Sequence, residues 1–247
     1  MGGPKLVARK KYDAVNLVNL ARALLASAKA RQLRGVAREA RRRLHSNRLH
    51  YGLRRDLAEP FEAPSAKIPL SIRPLRDLDL PVLLGFDTDE MSERGPYVRM
   101  HRLNFIHEDM GQCYVAATDV DEPCYMQWLL PSSENPRIER YFHGIFPPLA
   151  EDEALLEYAF TREGYQGKGI MSAAMARIAE KAIDLGAGRV ITFVDQENIP
   201  ALKGCQRAGF RPYLIRNDRW RFFRRRVSFQ PLPAGPRYPF ESKSAVG

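Results

Sequence analysis

Short runs of apolar residues, bounded by turn-forming residues, dominate the chain from residue 68 onward. Some have the length and composition of β-strands, and others show the three-to-four-residue spacing of amphipathic helices. The pattern predicts strands at 68–73, 112–118, 124–130, 155–161, 190–194, 210–215 and 220–229. It predicts helices at 77–84, 97–107, 171–185 and 200–208. Strands interleaved with helices indicate an α/β (α+β) fold with a mixed central sheet flanked by helices.

Two connections of this pattern are distinctive. The last two predicted strands are joined at Asn217-Asp218, a dipeptide typical of turns. Residues 132–152 form a long insert that contains prolines and an aromatic cluster at Tyr141, Phe142 and Phe146. We expect this insert to lie beside a functional groove, because long connections in compact domains are often functional.

Residues 1–60 carry two apolar stripes at helical spacing. The first runs from Val15 to Ala28 after a candidate N-cap at Asp13, and the second runs from Leu33 to Leu44 opposite a row of arginines. The stripes are about half a turn out of phase, so the pattern predicts a helix break or two different packing partners. We interpret 1–60 as a basic helical N-terminal extension, 61–230 as the main domain and 231–247 as a flexible Pro/Ser-rich tail.

Positive charge is concentrated in the same extension. The chain has a net charge of +10, whereas residues 1–60 alone hold fifteen basic and four acidic residues. Such an extension fits an anionic membrane surface or an acidic partner. It also fits helices that dock on the main domain with their arginines in water. The alternation of arginines and aromatic residues from Arg219 to Arg226 predicts an ordinary strand, so nucleic acid is not an expected partner.

Cysteine number and apolar run length predict the compartment. The three cysteines are odd in number and have no metal-binding spacing, which favours a reducing cytoplasm and no metal site. No apolar run approaches the ~20 residues that cross a bilayer. The first residues lack the apolar core of a secretion signal. We therefore expect a cytoplasmic protein.

A glycine-rich loop between a predicted strand and a predicted helix is the strongest chemical signal. Its sequence is Gln166-Gly167-Lys168-Gly169-Ile170-Met171. Glycines allow successive backbone N–H groups to face one point, and the first turn of the helix adds unpaired donors and a positive dipole end. The loop therefore predicts a phosphate site. A second block follows about thirty residues later, in which Asn198 opens a helix and Gly209-Phe210 begins a strand.

Together, the two blocks resemble the GNAT superfamily of acyl-CoA-dependent N-acetyltransferases over residues 68–229. Gln166, Gly169 and Met171 fall on the family's first signature, and Asn198, Ala201, Gly209 and Phe210 follow the order of its second. Two positions depart from the family pattern. Met171 replaces a small residue, and Cys205 stands where many members have a tyrosine that reprotonates the leaving thiolate.

The resemblance implies acetyl-CoA as co-substrate and direct attack by an acceptor amine. The residues it assigns to the co-substrate are Thr161, Gln166, Gly167, Lys168, Gly169, Ile170, Met171 and Asn198. It also implies an oxyanion donor on the strand before the loop, at the backbone N–H of Phe160 or Ala159. Asn198 has a simpler interpretation as a helix N-cap.

Glu157 is the candidate general base, because a carboxylate in the middle of a half-buried strand invites a raised pKa. Glu153 projects to the same side. A structural alternative pairs Glu157 with Arg219 or Arg221. Further base candidates are His107 and His143, and candidate proton donors are Cys205, Tyr158, Tyr165, Tyr213 or water.

The acceptor is not encoded in these motifs, and we expect a small amine rather than a protein. One alternative function is a non-catalytic acyl-CoA sensor, which Cys205 and Met171 favour. Another is an adaptor that associates with membrane or nucleic acid through residues 1–60.

Overall fold

One mixed sheet of eight strands organises the part of the chain that the structure, a computed structural model, describes: residues 40–84, 95–232 and 238–241, except the side chains of 95–101. The strand order is β2-β3-β4-β5-β6-β1-β7-β8. Within the sheet, β5 and β6 are parallel and the other neighbours are antiparallel. The strands are β1 (His45–Asp56), β2 (Ser71–Pro74), β3 (Gln112–Ala117), β4 (Pro123–Pro131), β5 (Glu153–Thr161), β6 (Arg189–Asp195), β7 (Arg211–Arg221) and β8 (Arg224–Pro231).

Helices cover both faces of the sheet. They are α1 (Asp79–Leu84), α2 (Gly95–Glu108), α3 (Asn135–Phe142), α4 (Ile170–Glu180) and α5 (Ile199–Arg207). Apolar residues of α4 and α5 pack in a core with Leu53 and Leu156 on one face. Residues of α1, α2 and α3 pack in a second core with Val115 and Leu155 on the other face. The predicted fold class, a mixed sheet flanked by helices, is confirmed.

The predicted turn at Asn217-Asp218 is wrong. Both residues lie inside β7, where Asp218 is opposite Arg48 of β1 and Val227 of β8. Asp218 is buried and accepts hydrogen bonds from the guanidinium of Arg225, so an ion pair between β7 and β8 retains a local turn-former inside a strand. The chain reverses later, at Phe222 and Phe223.

The prediction of a helical extension over 1–60 is wrong for its last part, because His45–Asp56 forms β1 in the interior of the sheet. This strand pairs with β6 on one side and β7 on the other. Leu53 is fully buried, and the buried guanidinium of Arg55 donates to the Ala176 carbonyl oxygen at 2.9 Å and to Glu180 at 3.1 Å. Residues 40–44 are helical, as expected, and the stripes predicted before residue 40 lie outside the described residues.

Part of the segment predicted as a flexible tail is packed on the domain. Tyr238 is 3% exposed, and its hydroxyl donates to the Phe210 carbonyl oxygen at 2.6 Å. Glu241 accepts a hydrogen bond from the backbone N–H of Tyr238 and another from Gln206 of α5. The prediction of a flexible tail is therefore wrong for 238–241, because an aromatic side chain here completes the core.

We expect Tyr238→Phe to lower the free energy of unfolding by about 1–2 kcal/mol, because it leaves a buried carbonyl oxygen without its donor. Urea denaturation at neutral pH measures this change. Tyr51→Phe is the matched control, because the half-buried Tyr51 hydroxyl has no hydrogen-bond partner among the described residues. Equal stability of the Tyr238→Phe variant and the wild type would contradict the packed tail.

The three cysteines are free and buried. Burial raises the pKa of Cys124 to about 11 and that of Cys205 to about 12, and it raises the pKa of Cys113 well above its usual range. Within the described ranges, no cluster of three or more His, Cys, Asp or Glu side chains is placed to hold a metal ion. No helix in those ranges has both the length and the apolar character to cross a membrane.

Candidate active site

Strands β5 and β6 separate after a short parallel stretch, and this separation opens the site. Residues 153–155 pair with 189–191, and the pairing stops at Leu155 and Ile191. On its other side, β5 has a bulge in which Tyr158 and Ala159 lie opposite the single residue Gln127 of β4. Tyr158 has a φ of 56°, and the strand changes direction at this bulge. The edge of β5 that faces β6 is therefore open to a ligand.

A groove of about 1080 Å³ occupies the gap. It is lined by the second half of β5, the glycine loop, the end of β6 and the start of α5. All ten residues predicted for the site lie along it: Glu157, Phe160, Thr161, Gln166, Gly167, Lys168, Gly169, Ile170, Met171 and Asn198. The structure thus brings the predicted residues together, and the role of each stays a prediction.

The glycine loop presents unpaired backbone donors to this groove. Gly167 and Gly169 have φ values of 74° and 75°, which only glycine adopts without strain. Among the backbone hydrogen bonds of the described residues, none is donated by the N–H groups of 167–172, and α4 begins with Ile170. Successive free donors at a helix N-terminus form an anion site. The loop therefore fits the pyrophosphate of a CoA thioester.

Cationic side chains line the same groove as the loop. Lys168 lies over the Tyr165 ring, with its Nζ 4.8 Å from the ring centroid. Lys67, Lys203 and Arg207 also line the groove. The sequence analysis missed these three, although the spacing of Lys203 and Arg207 on α5 puts both on one helix face. Four cations in one groove are suited to the phosphates of a nucleotide-bearing ligand.

The segment between β1 and β2 forms one wall of the groove. Pro64, Ser65 and Lys67 line it, and the Lys67 N–H donates to the Lys168 carbonyl oxygen at 2.9 Å. A Cβ on Gly169 would lie 3.6 Å from the Ser65 carbonyl oxygen. Local composition does not predict that this segment lines the groove, because its position depends on a backbone contact with a loop that is distant in sequence.

Asn198 has the N-cap role that its sequence position suggested. Its Oδ1 accepts from the Ala201 N–H at 3.2 Å, and Pro200 occupies the first turn of α5. The residue also lines the groove. Capping and ligand contact are therefore compatible at this position.

Glu157 is a half-buried carboxylate at the opening of β5. Burial raises its pKa to about 7, while a hydrogen bond from the Tyr158 backbone and the charge of Arg216 act in the opposite direction. The alternative pairing with Arg219 or Arg221 is wrong, because Arg221 donates to Ser46 and Trp220 carbonyl oxygens and Arg219 is exposed. Glu157 is therefore poised to accept a proton near neutral pH.

The other base candidates lie elsewhere. Glu153 accepts from the Ala150 N–H at 3.1 Å and lies 3.9 Å from Arg189, so it is held at the closed end of the strand pair. His107 and His143 are exposed, and neither lines the groove. Glu157 alone among these four residues faces the groove.

The candidate proton donors differ in their accessibility. Cys205 is 1% exposed, contacts the Met175 sulfur at 3.7 Å and has its pKa raised to about 12 by burial. Tyr165 donates its hydroxyl to Glu122 at 2.7 Å. Cys205, Tyr165 and Tyr158 line the groove, whereas Tyr213 does not. Cys205 therefore has the properties of a packing residue, and Tyr158 is the better-placed hydroxyl.

An aromatic wall adjoins Glu157 on the face of the sheet that carries α1, α2 and α3. Ring centroids of Phe105 and Tyr158 lie 4.9 Å apart, those of Phe105 and Tyr141 lie 5.1 Å apart, and those of Trp128 and Tyr158 lie 6.1 Å apart. Tyr141 comes from the long insert and hydrogen-bonds Tyr158. The insert therefore contacts Tyr158 of the groove wall, whereas none of its own residues lines the groove.

Solved structures resemble the chain at low sequence identity. A conserved protein of unknown function from Staphylococcus epidermidis is 13% identical over 70% of this chain and 61% of its own, with a TM-score of 0.47. A GNAT-family acetyltransferase from Colwellia psychrerythraea is 13% identical over 76% and 57%, with a TM-score of 0.45. A GCN5-related N-acetyltransferase from Sphaerobacter thermophilus is 14% identical over 75% and 56%, with a TM-score of 0.43. In each case the chain spans less than two thirds of the other protein.

A sequence family match covers the groove. No curated protein matches the chain. Residues 70–211 match the family described as acetyltransferase (GNAT) domain. This range is more than half of the chain and contains all ten predicted site residues. The chain therefore belongs to the GNAT acetyltransferase family.

Proposed function

We propose that the protein is an N-acetyltransferase that transfers an acetyl group from acetyl-CoA to an acceptor amine by direct attack in a ternary complex. The observation that carries the proposal is the position of Glu157, a carboxylate with a raised pKa in the same groove as the free donors of the glycine loop. Family membership supports acyl transfer in general.

Acetyl-CoA fits the residues that line the groove. The unpaired N–H groups of 167–172 and the nearby cations would hold the phosphates, and the opened edge of β5 would receive the pantetheine arm. When bound, acetyl-CoA supplies a thioester whose carbonyl carbon an amine can attack. The residues around the thiol end would decide whether longer acyl groups are also accepted.

Residues of β5 supply the proton transfer and the charge stabilisation. Glu157, directly or through a water, takes a proton from the acceptor ammonium before its nitrogen bonds to the carbonyl carbon. A backbone N–H at Phe160 or Ala159 donates to the carbonyl oxygen as negative charge develops there. The carbon–sulfur bond then breaks, and the thiolate takes a proton from Tyr158 or water. The second proton, which the attacking nitrogen releases, restores that donor.

The acceptor in this proposal is a small amine with an apolar part. The half-buried rings of Tyr141 and Tyr158 support this choice, because aromatic rings near the base would bury such a group. Both rings pack on the fully buried ring of Phe105. A panel of arylalkylamines, polyamines, amino sugars and peptides, assayed for CoA release, would rank the classes. Acetylation of peptides alone would contradict a small acceptor.

The rival function is that of a sensor that binds acyl-CoA without turnover. Glu157 argues for turnover, whereas Met171 and Cys205 depart from the pattern of active family members. Binding of acetyl-CoA without CoA release across the whole amine panel would favour the sensor. A cytoplasmic location also belongs to the proposal, supported by three cysteines that remain free thiols.

Gly169→Asp is expected to weaken CoA binding at least tenfold, about 1.4 kcal/mol. The substitution places a carboxylate among donors that face phosphate, where like charges repel. Gly169→Asn is the matched control, because it has the same shape and the same tolerance of positive φ without the charge. Titration calorimetry with CoA on both folded variants measures the difference. Equal affinity of the two variants would contradict the loop assignment.

A further inference from the structure

The turn between β7 and β8 presents two adjacent phenylalanines to solvent; we name this pair, Phe222 and Phe223, the aromatic tip. Arg221 pairs with Arg224, so the tip is a two-residue loop. The two residues are 78% and 59% exposed, and their φ values are 47° and 63°. Turns of this kind favour Asn and Gly, because bulky side chains are strained at positive φ. Neither burial nor backbone geometry therefore accounts for aromatic residues here.

One face of the same hairpin carries opposed arginines; we name Arg219, Arg221, Arg224 and Arg226 the arginine face. Arg219 lies opposite Arg226, and Arg221 lies opposite Arg224. Like charges in directly opposite positions destabilise a strand pair. In the described part of the chain, no ion pair joins these four residues to a carboxylate. The hairpin thus concentrates uncompensated positive charge behind its aromatic tip.

The basic N-terminal region meets the fold at this same place. The backbone N–H groups of Phe222 and Phe223 donate to the carbonyl oxygens of Leu44 and Arg43, both at 2.9 Å. Guanidinium carbons of Arg42 and Arg43 lie 5.6 and 5.3 Å from the centroid of the Trp220 ring. Leu44 is 46% exposed. Apolar exposure and positive charge therefore converge from two separate segments of the chain.

We propose that this end of the molecule docks on an anionic phospholipid membrane. The aromatic tip would enter the interface between headgroups and acyl chains, where amphipathic and aromatic residues are favoured. The arginine face would lie against lipid phosphates, and its charge would be attracted by the negative surface potential. This docking does not depend on the acyl-transfer chemistry.

The placement of the rings favours a bilayer over nucleic acid. Proteins that bind single strands stack bases on aromatic side chains set along a basic groove or sheet face. Here the positions that share the arginine face next to it are Asn217 and Ser228, neither of which is aromatic. The exposed rings stand together at the convex end of the hairpin, a shape suited to shallow insertion.

Vesicle flotation of the full chain tests the proposal. We expect binding to vesicles of phosphatidylcholine with phosphatidylglycerol, loss of that binding as salt rises, and none to pure phosphatidylcholine. The double variant Phe222→Asn/Phe223→Gly keeps every charge and supplies the residues that this turn prefers. It should bind the anionic vesicles at least tenfold more weakly while melting at or above the wild-type temperature.

Two further variants separate the contributions. Phe222→Trp should keep the affinity and shift its emission to the blue on vesicles, because the ring enters a less polar layer. Arg219→Gln/Arg226→Gln should weaken binding and reduce its dependence on salt. The proposal is overturned if the wild-type protein does not bind anionic vesicles. It is also overturned if the Phe222→Asn/Phe223→Gly variant binds them with wild-type affinity. Binding of homopolymeric RNA that this double variant abolishes, without vesicle binding, would assign the surface to nucleic acid.

Discussion

Glu157→Gln should lower kcat for the preferred amine about 10²-fold or more while leaving the affinity for acetyl-CoA unchanged. The amide keeps the shape of the carboxylate at the opening of β5 but cannot accept the proton. Glu153→Gln is the matched control, because Glu153 lies on the same strand outside the groove, next to Arg189. Its kcat should stay close to that of the wild type. Full turnover by Glu157→Gln would exclude this base.

The pH dependence of the same reaction gives an independent measurement. Burial raises the pKa of Glu157 to about 7, and a general base acts in its deprotonated form. The kcat/KM should therefore fall roughly tenfold per pH unit below about 7 and level off above it, apart from any titration of the acceptor. The inflection near 7 should be absent from the residual activity of Glu157→Gln. An unchanged profile in that variant would assign the inflection to another group.

The free energy of unfolding should also depend on the ionisation of Glu157. It should fall as pH rises, whereas kcat/KM rises. The folded protein keeps the Glu157 proton between the ordinary carboxyl pKa of 4.5 and about 7, whereas the unfolded chain loses it. The contribution of this group is therefore present at low pH and is lost as pH rises through that window. Glu157→Gln should gain stability relative to the wild type on going from pH 5 to pH 8. Denaturant titrations at the two pH values test this gain.

The fold was predictable from the sequence where burial follows local composition. Strand β4 is buried along almost its whole length, and its continuous apolar run predicts a buried strand. β1 was missed because its alternation of Leu49, Tyr51 and Leu53 lies among basic residues. In that strand, the guanidinium of Arg55 donates to the carbonyl oxygen of Ala176 and to the carboxylate of Glu180. Both partners are distant in sequence, so a local pattern cannot identify them.

The candidate site was predictable where backbone geometry fixes it. Glycines, a helix start and an N-cap are local features, and the structure places Gly167, Gly169 and Asn198 together in the groove. Features that depend on register were missed. The turn was predicted at Asn217-Asp218, whereas β7 continues through these residues. Arg219 and Arg221 were proposed as partners of Glu157, whereas Arg216 is the arginine whose charge lowers the pKa of Glu157.

The interior position of β1 makes a strong prediction about truncation. A fragment of residues 66–247 should not fold into a soluble domain. Without β1, the strands β6 and β7 lose their common neighbour, and two unpaired sheet edges become open to aggregation. The fragment also loses the buried Leu53 side chain and the cation that Glu180 pairs with. Cell fractionation and thermal unfolding, compared with the full chain, measure the outcome.

Two controls test whether the expected loss of folding results from the absence of β1 rather than from a shorter chain. A synthetic peptide of residues 40–60 added during refolding should restore soluble, CoA-binding protein, because it supplies the missing neighbour of both edges. In the full chain, Leu53→Ala should cost about 2–5 kcal/mol, whereas Leu44→Ala should have little effect because that side chain is 46% exposed. A soluble 66–247 fragment with cooperative unfolding and intact CoA binding would show that the sheet closes without β1.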